Sequence, residues 1–137
     1  MTASPQARAV RVVAVTVAGL FGVATLFAGG RVLLGSDPGY TVFRPLLLFN
    51  MVMGVAYLAA GVAMWRSAVR GRGAAGAIFV LNLVALLGIV IVYRRGAAVA
   101  VDSLRAMSLR TIVWLVLYLA GVWLAHAPDP PRLSGAQ

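Results

Sequence analysis

Apolar residues fall into four long blocks, separated by short clusters of Arg, Gly, Pro, Ser and Asp. The first block is Val12 to about Leu34, interrupted only by Arg31. Gly35-Ser36-Asp37-Pro38-Gly39 follows, a run of residues that favour turns. The second block is Pro45 to Trp65, and Pro45 suits a first helical turn, where a missing N–H costs nothing. Arg66 to Arg72 reads as a short basic loop before the third block, Gly73 to Tyr93. Arg94 to Val101 is moderately polar and suits a membrane–water interface. Asp102 or Ser103 then suits the N-cap of a fourth block that ends near His126. Residues 1–11 read as a polar N-terminal tail and residues 127–137 as a Pro-rich disordered tail.

Each block holds about 20 apolar residues, the length of helix that crosses a ~30 Å hydrocarbon core. The blocks are continuous rather than alternating, so a membrane barrel is not expected. Without water, backbone groups must pair within their own segment, which leaves helices. Short connections make sequence neighbours antiparallel. The expectation is an all-α, polytopic membrane protein with four transmembrane helices, at about 12–34, 45–65, 73–93 and 103–126. They would form one up-down antiparallel bundle with both termini on one face, called side A; the opposite face is side B.

Composition strengthens this picture. Of 137 residues, 62% are hydrophobic, where a soluble domain has roughly half. The formal charge is +9, and every basic residue is Arg; the acids are Asp37, Asp102 and Asp129 alone. The arginines sit at the ends of apolar blocks rather than on a polar domain. Anionic lipid headgroups, not nucleic acid, are therefore the expected partner, at about 1 kcal/mol per arginine near the surface. Side A would hold Arg8, Arg11, Arg66, Arg70, Arg72 and Arg132. Side B would hold Arg44, Arg94, Arg95 and Arg105, with Arg31 and Arg110 inside helix ends. This thin bias makes side A cytoplasmic, in a bacterial inner membrane. Counting Arg31 and Arg110 makes the sides equal and leaves insertion in both orientations open. Two arginines precede the first block, as in a signal peptide, but Val12 to Gly30 is too long for a signal core and lacks an A-x-A site. It reads as a retained helix.

Polar residues at depth are the candidate sites. Asn50, Gly54, Tyr57 and Gly61 share one face of the second helix. Asn82 of the third helix falls near the depth of Tyr57, so an Asn82–Tyr57 hydrogen bond is expected. Asn50, Tyr57 and Asn82 are either interhelical glue or the lining of a solute path. Ala18, Gly22, Thr25 and Gly29 make a small-residue stripe that either packs the first helix on the second or serves as a homodimer face. Arg110 shares a face with Trp114 and Gly121, and Asp102, Asp37 and Asn50 are its candidate partners. Arg94, Arg95, Arg105, Arg110 and Asn50 form the candidate anion or lipid-headgroup contact on side B. Arg31 lies opposite the small stripe and is expected to reach outward to headgroups.

Several chemistries are not expected. There is no Cys, one His and no Glu. No acid falls deep in a span, no Ser-His-Asp set is visible, and no cluster has metal-ligand spacing. The chain therefore reads as a non-enzyme with no metal and no cofactor.

Gly29 to Gly35 (GGRVLLG), Phe49 to Tyr57 (FNMVMGVAY) and Ala106 to Trp114 (AMSLRTIVW) resemble small four-helix proteins of the bacterial inner membrane. That resemblance implies architecture and no activity. Arg31 after a Gly-rich first helix, and Asn50-x-x-x-Gly54, are also similar to small four-helix, dual-topology fluoride channels. In those channels a Gly/Thr/Ser/Phe-rich break in the third helix supplies the ion path, whereas Ala74 to Tyr93 here is unbroken and has no Thr or Ser. Small multidrug transporters need a glutamate in the first helix, and this chain has none. The expected function is an accessory, assembly or lipid-interacting component, working within a larger membrane complex or bound to lipid. The alternative is a small-solute or ion channel or transporter acting as a homo-oligomer.

Overall fold

Four α-helices fill residues 4–126, the part of the chain that the computed structural model describes: α1 (Pro5–Leu33), α2 (Arg44–Arg66), α3 (Ala68–Arg94) and α4 (Val101–His126). No strand occurs among the described residues. All four helices are long and apolar enough to cross a membrane. The fold is that of a multi-pass membrane protein. The Pro-rich tail at 127–137 lies outside the described residues, as do residues 1–3.

The helices are longer than the apolar blocks, because local capping chemistry overrides composition at their ends. α1 begins at Pro5, not Val12, so most of the expected polar tail is helical. Ser4 Oγ accepts the Ala7 N–H at 3.2 Å, and Pro5 occupies the first turn. The expected basic loop at 66–72 shrinks to Ser67 alone. Its extended backbone lets its N–H close α2 on the Ala63 carbonyl, while its Oγ accepts the Arg70 N–H and opens α3. α4 starts at Val101, so Asp102 and Ser103 sit in its first turn rather than capping it. The side-B ends of α1 and α3 close alike: Gly35 and Gly96 have positive φ, and the next amide reaches back to Arg31 O and Val92 O.

α1 packs along α2, and α3 along α4. The two pairs join through α2 and α3, and of the four seams around the bundle the α1–α4 seam is the weakest. The small stripe is used up inside the chain. Ala18, Gly22, Thr25 and Gly29 are all buried. A Cβ on Gly22 would come within 3.1 Å of the Gly54 carbonyl, and one on Gly54 would meet Leu26 and Thr25. Ala18 lies against Gly61. This is the α1–α2 packing reading of the stripe.

The molecule is inside-out relative to a soluble bundle. Leu20, Phe27 and Val52 are 65%, 66% and 70% exposed, and every helix carries such residues outward. The interior holds Ala, Met, Tyr, Trp, Asn and Thr beside a few Leu, Ile and Val. Only an apolar solvent makes that arrangement stable. Tyr40 and Tyr93 at one end, and Trp65 and Trp123 at the other, are exposed where interfacial rings anchor.

The one-residue joint forces α3 hard against the end of α2. A Cβ on Gly71 would lie 2.6 Å from the Met64 Cα, so backbone would have to move. Gly73, two residues on and on the other side of the helix, has open space around it. Gly71→Ala should therefore cost about 1–3 kcal/mol, while Gly73→Ala should be neutral or stabilising by up to about 1 kcal/mol. Unfolding in mild detergent, followed by circular dichroism, checks the contrast.

Candidate functional site: a polar column inside the bundle

The inward faces of α2, α3 and α4 bring polar groups together at mid-depth. Tyr57 O–H donates to Asn82 Oδ1 at 2.9 Å, and both residues are fully buried. The two do not sit at one level: counted from Ser67, Tyr57 is 10 residues back and Asn82 is 15 residues on. That offset is about 7 Å along the axis. The side chains close it because each leans toward the N-terminus of its own helix, and α2 and α3 are antiparallel.

Trp114 of α4 stacks on Tyr57, with ring centroids 4.8 Å apart and a tilt of 32°. α2 and α4 run the same way, and both rings lie 13 residues from the start of their helix. This stack spans the bundle diagonal and ties α4 to α2, which the α1–α2 and α3–α4 pairs do not otherwise do. Trp114 was legible only as a neighbour of Arg110 on one helix face; the heptad-like return Met107, Trp114, Gly121 was the available sign that it points inward.

On the side-B flank of this stack lie Arg110, one turn along α4, and Asn50, two turns along α2. These steps are about 6 Å and 10 Å. Arg110 is half-buried, and an Nη atom lies 3.9 Å from Met107 Sδ. Neither candidate acid pairs with it. Asp37 Oδ1 accepts the Gly39 N–H at 2.8 Å within its own turn. Asp102 pairs with Arg105 at 3.4 Å, an exposed i,i+3 contact worth little. Asn50 does not bond Arg110 either: its Oδ1 is buried without a partner among the described residues.

The expected side-B cluster is therefore split. Arg94, Arg95 and Arg105 are exposed at the side-B ends of their helices, while Arg110 and Asn50 turn inward. The physical reason is helix phase: Arg105 and Arg110 differ by five residues, about 140° around α4. Arg31 reaches outward over the Phe27 ring, at 5.8 Å. Thr111 Oγ1 donates to the Met107 carbonyl at 2.9 Å, the ordinary use of a hydroxyl in an apolar helix.

Three buried polar atoms of the column have no partner among the described residues: Asn50 Oδ1, Asn82 Nδ2 and Trp114 Nε1. Two of these are donors, and Arg110 adds more. The column is thus poor in negative charge and rich in N–H groups, suited to an anion, a carbonyl or water. No group of three or more His, Cys, Asp or Glu side chains that could hold a metal occurs among the described residues.

Comparison with known proteins found no matching family model, curated protein or solved structure.

Removing the Tyr57 hydroxyl and removing the Trp114 ring should differ in size. Tyr57→Phe loses one interhelical hydrogen bond, about 0.6–1.7 kcal/mol. Trp114→Ala empties the bundle centre and should cost about 3–5 kcal/mol. Unfolding of both variants in the same detergent, with the double variant to expose coupling, checks the ranking.

Proposed function

We propose that this protein is a small, non-enzymatic component of the bacterial inner membrane. It is accessory to a larger membrane assembly or engaged with anionic lipid, and Arg110 is its inner anionic contact. Both termini face the cytoplasm in this reading, as the arginine bias favours. The observation that supports it most is the position of Arg110. It lies nine residues inside α4, and its one hydrogen-bond partner among the described residues is a thioether. A guanidinium at that depth is costly unless a partner or headgroup phosphate meets it. Exposed Arg94, Arg95 and Arg105 add attraction at the same membrane face.

A second reading, a solute channel or transporter working as an oligomer, is favoured by the unpartnered Asn50 Oδ1 and Asn82 Nδ2. The fully buried Tyr57–Trp114 stack lies across that route and would have to move for passage. For this reading, flux in liposomes should vanish with Asn82→Leu.

For the leading reading, Arg110→Gln should weaken retention of anionic lipid or partner about five-fold, the effect of about 1 kcal/mol. Native mass spectrometry of gently extracted protein reads this directly. Unchanged retention together with unchanged stability would remove Arg110 from the site.

A further inference from the structure

The α1–α4 seam differs from the other three. Its helices touch least, and an open apolar groove of about 430 Å³ runs between them. Ala9, Val13 and Val17 line one wall, and Ala120, Val116 and Ile112 line the other. Each wall covers eight residue steps, about 12 Å. One leaflet of a ~30 Å hydrocarbon core is about 15 Å deep. A neighbouring transmembrane helix calls for a seam twice that long, whereas an acyl chain calls for a slot one leaflet deep.

Charge marks the side-A end of the groove. Ala14 and Leu117 line both the groove and a small recess of about 10 Å³, which Arg11 and Arg72 also line. That recess has room for about one water. Arg11 Nε is buried without a hydrogen-bond partner among the described residues. The ion pair recorded among them, Arg105 with Asp102, lies on side B. Arg11 and Arg72 thus both line a recess beside the groove, neither is paired with an acid among the described residues, and Arg8 stands one turn before Arg11.

We propose that the α1–α4 groove is a binding site for an anionic phospholipid. One acyl chain lies between Val13 and Val116, and the phosphate sits at the side-A mouth against Arg11 and Arg72. A phosphate offers the planar guanidinium a forked set of acceptors. A zwitterionic lipid brings its own cation to the same place and binds less well. The groove opens toward the opposite membrane face from the Arg110 contact, so this site stands or falls independently of it.

The test offers the full-length protein in mild detergent either palmitoyl-oleoyl phosphatidylglycerol or its phosphatidylcholine counterpart, and counts retained lipid by native mass spectrometry. Every measurement is repeated in an Arg110→Gln background, which separates the two sites. One phosphatidylglycerol should be held at least about five-fold more tightly than phosphatidylcholine. Arg11→Gln, or Arg72→Gln if the first variant folds poorly, should erase that preference. Val116→Trp fills the groove from a position already 57% exposed, so the fold survives, and retention of both lipids should fall. Equal retention of the two lipids overturns the proposal. So does phosphatidylglycerol binding that ignores both the arginine and the Val116 variants. A dimer that Val116→Trp dissociates, with lipid retention unchanged, assigns the groove to a second copy instead.

Discussion

In hydrocarbon a leucine is as well placed against a lipid tail as against another helix, so the residues that keep this chain in a membrane do little to hold its helices in register. The hydrogen bond between Tyr57 and Asn82, with Trp114 stacked on the same ring, supplies that register. It links α2 to α3 and α2 to α4 in the middle of the bundle, where a polar group facing lipid would be costly. Asn50 Oδ1, Asn82 Nδ2 and Trp114 Nε1 are left unmatched around it, so the same pin that fixes the bundle also gives it a polar interior.

Close backbone approach does the remaining work, and it does so unevenly. Gly22 and Gly54 bring α1 against α2, and Gly71 with the single-residue joint at Ser67 brings α3 against α2. Gly121 allows α4 within 3.0 Å, measured from an added Cβ, of the Arg72 backbone. Nothing comparable draws α1 to α4, where Val13 and Val17 stand opposite Ile112 and Val116 across a gap. The open seam is therefore a consequence of where the small residues fall.

The arginines follow the same logic of unequal partners. Asp37 is occupied by its own turn and Asp102 by an exposed neighbour, so neither reaches the arginines that turn inward. Arg110 and Arg11 are each left with polar atoms that the described residues do not satisfy with negative charge. In both proposed sites anionic lipid would supply what they lack.

The four spans, their antiparallel order and the α1–α2 stripe were legible in the residues, because each depends on hydrophobic length or helical period. The Tyr57–Asn82 pair was expected from a shared depth but forms across an axial offset that the lean of the two side chains closes. The helix ends were less so: Ser4-Pro5 is a start signal, but the polar composition around it masked the first two turns of α1. Three things rested on the tertiary structure alone. Trp114 meets Tyr57 only because α2 and α4 are parallel across the diagonal. Arg105 and Arg110 part company because the packing of α4 on α3, and of Trp114 on Tyr57, decides which face of α4 turns inward. The α1–α4 groove exists because the close glycine approaches fall at the other three seams, which only the packed helices reveal.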